Sequence, residues 1–197
     1  ASFFGFREKY YHRQLDYRGP AFGWSTMPDQ FVFDFIACNV ISSSRQPLFI
    51  EFVLTSVHAP FHRQPPYLSD WSRIGDGSIY HHRQARRYPI TWPDLSNAAI
   101  AYTDALKYEF KVLAGFILQQ ARGEALIVVL GDHQPAQQIT GADPSWSVPV
   151  HAISRNPDLL QPFFSAGLAP GVIPDQPPPH KGMEFLRAVL LQGYCGP

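Results

Sequence analysis

Residues Ala125 to Pro135 read ALIVVLGDHQP, an apolar, β-branched run that stops abruptly at Gly131, Asp132 and His133. An unbroken row of Ile, Val and Leu suits a strand covered on both faces, and such strands belong to parallel sheets packed between helices. The run therefore predicts a buried strand that delivers a carboxylate and an imidazole at its carboxyl end, where ligands of open α/β sheets gather. Both side chains are good donors for zinc or manganese, and a buried Asp is costly unless it is paired or metal-bound. Neighbouring residues of a strand point to opposite faces, so both reach one ion only if the backbone turns at Gly131. The plain alternative is a turn or a helix cap, the commonest use of a strand-ending Asp.

Working outward, the remaining segments give an alternating order. TMPDQFVFDFIACNVI, from Thr26 to Ile41, predicts a helix with a capping box of Thr26 and Asp29 and with Pro28 in its first turn. PLFIEFVLTSV, Pro47 to Val57, is short and rich in Phe, Ile, Val and Leu, which predicts a buried strand ending in His58. Ala59 to Trp92 is rich in Pro, Arg, His, Tyr and Gly without a sustained period and reads as a long covering loop, more mobile than the sheet. After Pro93 and the candidate N-cap Asp94 comes the longest helical pattern. Leu95, Ala98, Ala99, Tyr102, Ala105, Leu106, Val112, Leu113, Phe116 and Ile117 lie near one face, and Gly123 is the stop. The opening strand follows, then a loop over Gln134 to Ser147, a strand in VPVHAIS and a helix around Met183 to Leu191. The expected fold is α/β, a mostly parallel sheet between helix layers.

Composition limits what such a domain serves. The 197 residues are 45% hydrophobic, enough for one compact domain over 1–197 with its own core. Sixteen basic and sixteen acidic residues cancel, so the sequence carries neither a nucleic-acid footprint nor a polybasic membrane surface. Cys38 and Cys195 do not make a disulfide framework. No apolar run approaches the roughly 20 residues of a membrane span. The first residue is Ala, not Met, which suggests a piece of a longer chain.

Several other residues have two readings each. His58 at a strand end is either a substrate contact or a hydrogen-bonded surface histidine. Trp24, in AFGWSTMPDQ, either flanks a ligand near a helix amino terminus or anchors the first helix in the core. His81, His82 and the rest of HHRQARR form either an anion patch or a solvated basic loop. Tyr102, Tyr108 and Phe110 read as helix-packing residues, and His151 as structural.

Four patches resemble the sulfatase-like branch of the alkaline phosphatase superfamily, which includes lipoteichoic acid synthases and phosphoethanolamine transferases. LIVVLGDHQP is similar to that family's strand ending in an Asp-His metal pair, which maps onto Asp132 and His133. FVLTSVHAPF is similar to its strand ending in a substrate-contacting His, which maps onto His58. NAAIAYTDALKYEF and VPVHAISRNP resemble the helix between those strands and the strand after the metal pair. The match covers most of the chain from about Phe4 onward.

The resemblance implies an alkaline-phosphatase-like sheet, incomplete at its amino terminus because no segment supplies the family's nucleophile strand and helix. It implies one divalent metal ion, since Leu54 stands four residues before His58 where two-metal members carry an Asp. Manganese or zinc leads, with calcium or magnesium as alternatives. The implied activity is hydrolysis or transfer of phosphate or sulfate esters, lipid- or glycan-linked substrates included. His58 would meet the substrate and Asp132 and His133 the metal, and Trp24, on the reading of AFGWSTMPDQ above, would flank the substrate. The parent protein would be extracytoplasmic and membrane-anchored through its amino-terminal region. This chain alone would then be inactive, with Thr55 and Ser56 the nearest alternative nucleophiles. A non-catalytic binding or structural module that keeps the fold is the competing expectation.

Overall fold

The computed structural model describes residues 5–90, 98–120, 125–176 and 178–195, in two compact units, Ala1–Gln120 and Ala121–Pro197. In the first unit, α1 spans Asp29–Ile36 and continues as a π-helical turn over Ala37–Ile41. A two-stranded antiparallel sheet pairs β1 (Arg63–Gln64) with β2 (Arg86–Arg87), and α2 runs from Ala98 to Gln120. In the second unit, β3 (Leu126–Leu130) pairs antiparallel with β4 (Val150–Ser154), register Leu126 to Ser154 through Leu130 to Val150. The short α3 (Gln137–Thr140) lies between these strands, and α4 (Gln161–Ser165) and α5 (Glu184–Tyr194) follow them.

The mostly parallel sheet is therefore overturned: the described residues form two small antiparallel sheets among helices. Two physical reasons account for the difference. Parallel pairing of consecutive strands needs a crossover of a dozen or more residues that packs back on the sheet, usually a helix. The 19 residues between β3 and β4 hold no such crossover helix, only the four residues of α3, all at least partly exposed, and the two strands pair directly. Nor is β3 covered on both faces, for it is half-buried along its length and Leu130 is exposed.

The second reason lies in Pro47 to Val57, which forms no ladder. Its side chains alternate, with Phe49, Glu51 and Val53 exposed and Ile50, Phe52 and Leu54 partly buried. Phe52 packs against Phe33 of α1 and Phe116 of α2, with ring centroids 4.5 and 5.8 Å away. The apolar pattern thus reports burial against helices instead of strand pairing.

Helix α1 starts without the expected cap. Pro28 occupies the N-cap and no side chain of the helix's own entry caps it, so Thr26 and Asp29 do not form a box. Ser56 caps it from 27 residues away: Asp29 N–H donates to Ser56 Oγ at 3.3 Å, and Ser56 N–H donates back to Asp29 Oδ2 at 2.6 Å. The next residue, Gln30, is fully buried and acts as a strand substitute. Its amide donates to the Leu68 carbonyl at 2.6 Å and accepts from Leu68 N–H at 2.9 Å. Asp29, Gln30 and Ser56 thus each find partners, as burial demands.

Residues 59–92 are not a covering loop in their described part. Leu68, Trp71, Ile74 and Tyr80 are buried, on two 3-10 turns over Trp71–Arg73 and Ser78–His82, the chain between them and the residues just ahead of the first. Gly115 of α2 admits this segment: a Cβ there would stand 2.7 Å from Tyr67 Oη and 2.8 Å from Trp71 Cζ2. The buried face of α2 carries Ala98, Ala101, Ala105, Tyr108, Glu109, Val112, Leu113 and Phe116. That face is turned from the expected one, leaving Ala99 and Phe110 exposed. Leu95, Pro93, Asp94 and Gly123 lie outside the described residues, as do Thr91 and Trp92. No helix among the described residues is long and apolar enough to cross a membrane.

Candidate functional site

The first candidate site is built where the Pro47–Val57 segment turns. His58 N–H donates to the Thr55 carbonyl at 3.1 Å, closing a tight turn that presents the imidazole outward. Asp29 fixes the backbone just ahead of it, accepting from Thr55 N–H at 2.9 and 3.1 Å as well as from Ser56 N–H. The indole of Trp24 lies flat on His58, centroids 4.0 Å apart and planes 21° from parallel. Trp24 is 58% exposed, so it is not the core anchor that one reading of the sequence allowed.

The ring nitrogens of His58 have different roles. Nδ1 lies 2.6 Å from the carbonyl of Ala59, which can only accept, so Nδ1 carries the proton and Nε2 keeps its lone pair in the neutral ring. A small cavity of about 10 Å³, room for one water, opens beside this stack. It is lined by Ser25, Thr55, Ser56, Arg63 and Gln64 together with Trp24 and His58. Arg63 reaches the Ala21 carbonyl through Nη1 at 2.7 Å and lies over Phe22. Its Nε, like Gln64 Oε1, is buried without a partner among the described residues. Sequence reasoning missed Arg63, Gln64 and Ser25, whose only signal was nearness in sequence to His58 or Trp24.

The second candidate site follows β3. The strand ends at Leu130 and the chain bends at Asp132 and His133. That bend places His133 Nε2 3.6 Å from Asp132 Oδ2, on one side of the chain and open to solvent. The bend needs no left-handed backbone at Gly131, whose role is close approach: a Cβ there would stand 3.3 Å from Val148 Cβ. His133 Nδ1 sits 2.7 Å from the Gln134 carbonyl, so this ring too is held with Nε2 free. Metal-binding histidines are oriented by such a bond. No group of three or more His, Cys, Asp or Glu side chains suited to a metal ion occurs among the described residues.

The basic run HHRQARR is partly committed elsewhere. His81 Nε2 meets the Arg18 carbonyl at 2.9 Å, and Arg86 binds Asp104 at 2.7 Å. Asp104 also accepts from Tyr88 Oη and Lys107, and these partners, Tyr88 first, hold its carboxyl below the usual range. His151 lies in β4 opposite Val129, half-buried. The structure thus groups Trp24 with His58 in the first unit and Asp132 with His133 in the second. Comparison with protein families, with curated proteins and with solved structures gives no match.

Proposed function

We propose that this chain serves a metal-dependent hydrolase or transferase of phosphate or sulfate esters, with Asp132 and His133 of the second unit as two ligands of one divalent ion and His58 and Trp24 of the first unit as a separate ester-binding patch. The observation that carries the reading is the 3.6 Å between Asp132 Oδ2 and His133 Nε2. Two ligand atoms each about 2.0–2.1 Å from a tetrahedral zinc stand about 3.4 Å apart, so the pair is spaced for one ion. The bond from His133 Nδ1 to Gln134 leaves the correct nitrogen for that ion. An ion held there would acidify a hydroxyl or water and stabilise charge on the transferred group.

The chain's other residues supply binding and proton handling. Neutral His58 accepts a proton at Nε2, and its imidazolium donates from the same atom to a non-bridging or leaving oxygen. Trp24 shields one face of that ring from water. Arg63 adds a fixed positive charge and, at the cavity wall, an Nε without a partner among the described residues. The hydroxyls beside it are engaged: Thr55 Oγ1 donates to Ser25 Oγ at 3.0 Å, and Ser56 Oγ receives the Asp29 N–H. We therefore assign the nucleophile to neither Thr55 nor Ser56.

Calorimetric titration with manganese and with zinc tests the metal pair. Two protein ligands give weak binding that disappears in Asp132→Ala and in His133→Ala, whereas submicromolar binding that survives both substitutions would overturn the assignment. Inorganic phosphate and sulfate test the other patch. Either anion should change the fluorescence that Trp24→Phe removes and His58→Asn should abolish the response; no response at saturating anion sinks that half.

A further inference from the structure

Behind the His58 turn lie two carboxyl groups that the proposed reaction does not use. Asp29 is 2% exposed and Glu109, on α2, is 6% exposed. Glu109 lies within hydrogen-bonding reach of Asp29, yet neither of its oxygens meets a donor among the described residues. Two ionised carboxylates in contact in a dry site repel strongly, and an unpaired buried charge is costly. Asp29 has donors enough to remain an acceptor: two backbone N–H groups bind it, and it opens α1, where the helix dipole favours negative charge. Glu109 has none, and one proton between the two removes the repulsion and satisfies an oxygen on each.

We propose that Asp29 and Glu109 share one proton, carried by Glu109 and donated to Asp29, and that this pair is a positioning device: it ties α2 to α1 and through Asp29 fixes the Thr55–Ser56 backbone that sets His58 under Trp24. Burial, and then the Asp29 charge, push the Glu109 carboxyl well above its usual range. The other titratable group facing the pair is the phenol of Tyr108 on α2, pushed upward by burial and so neutral, with the Tyr80 phenol beyond it. No basic side chain acts on Glu109 among the described residues. The inference goes beyond the ester chemistry and stands without it.

Infrared spectroscopy of the full chain at about pH 8 reads the proton directly, because ordinary carboxyls are ionised there and so is Asp34, raised only to about 6. A protonated-carboxyl C=O stretch should be present and should vanish in Glu109→Gln, which keeps an N–H donor toward Asp29. Absence of the band, or its persistence in Glu109→Gln, overturns the shared proton; a cation found by elemental analysis in place of the band does so too. Raising pH from 4.5 removes stability from the native chain as the unfolded state ionises, so its Tm should fall relative to that of Glu109→Gln. A constant difference would overturn the claim.

The positioning half is read on the His58 ring by NMR, its signal identified by loss in His58→Asn. Asp29→Asn should shift that signal out of the Trp24 ring current, while Glu109→Gln leaves it in place. Should Asp29→Asn fail to fold, Ser56→Ala, which removes only the acceptor of the Asp29 N–H, should give the same shift in smaller measure. An unmoved His58 signal in a folded variant would overturn the positioning role.

Discussion

Asp29 and Asp132 are the same residue type put to opposite uses. Asp29 follows a proline at the start of a helix, is 2% exposed, and has its oxygens occupied by the backbone of Thr55 and Ser56. Asp132 follows a glycine at the end of a strand, its side chain is 90% exposed, and among the described residues Oδ1 accepts only from the N–H of its neighbour His133. A carboxylate saturated by its own chain is spent on architecture. One left with spare lone pairs in the open, beside an imidazole with a free nitrogen, is available to a ligand. If this contrast holds, substitution at the first position should cost stability, and at the second only binding.

The largest effect belongs to Asp29→Ala. It leaves the Thr55 and Ser56 N–H groups without their acceptor in a buried site, and hydrogen bonds to a charged group contribute about 1.5–3 kcal/mol each. A loss of about 3 kcal/mol in the unfolding free energy follows, measured by urea denaturation with unchanged m-value. A loss below about 1 kcal/mol would erase the distinction between the two aspartates.

Asp34 falls between the extremes. Half-buried on α1, with burial lifting its carboxyl from 3.8 to about 6, it has no cation among the described residues to stabilise its charge. Because the folded-state value is the higher one, the native chain is favoured below pH 3.8 and loses that advantage as pH rises through about 6. The full shift is discounted for solvent screening to about 1 kcal/mol. Asp34→Asn should flatten the stability profile between those pH values by that amount, and an unaltered slope would show that water reaches the group freely.

These contrasts also explain what the sequence could disclose. The helices around α1, α2 and α5 follow local apolar periodicity, and β3 and β4 follow β-branched runs, so their existence was legible. Strand direction was not, because it depends on what connects the strands, and four residues of α3 in place of a crossover helix decide it. The ladder expected over Pro47 to Val57 fails for a similar reason: apolar alternation encodes a covered face, and here Phe33 and Phe116 cover it. The helix cap was illegible because Ser56 reaches Asp29 across 27 residues while Thr26 stood in the expected place. Asp132 and His133 were legible as a pair because adjacency and the strand end are local facts. Arg63 and Glu109 were not, since only tertiary packing buries Arg63 Nε and the Glu109 oxygens.

The smallest effect on stability, and the sharpest on binding, belongs to Asp132→Ala. Its contact with His133 lies in solvent, where ion pairs contribute about 0–1 kcal/mol, and no element packs on its side chain. Without metal, the urea midpoint of the variant should match that of the native chain to within about 0.5 kcal/mol. Manganese or zinc changes the comparison. An ion that binds the folded chain at ten times its dissociation constant stabilises it by about 1.4 kcal/mol through mass action alone. The native chain should gain that increment, and Asp132→Ala should gain none. Asp132→Asn keeps the oxygen but loses the charge, and should recover only a fraction of the gain at the same metal concentration. A metal-free destabilisation above about 1 kcal/mol would make Asp132 a structural residue like Asp29, and an equal metal-induced gain in both chains would place the ion elsewhere.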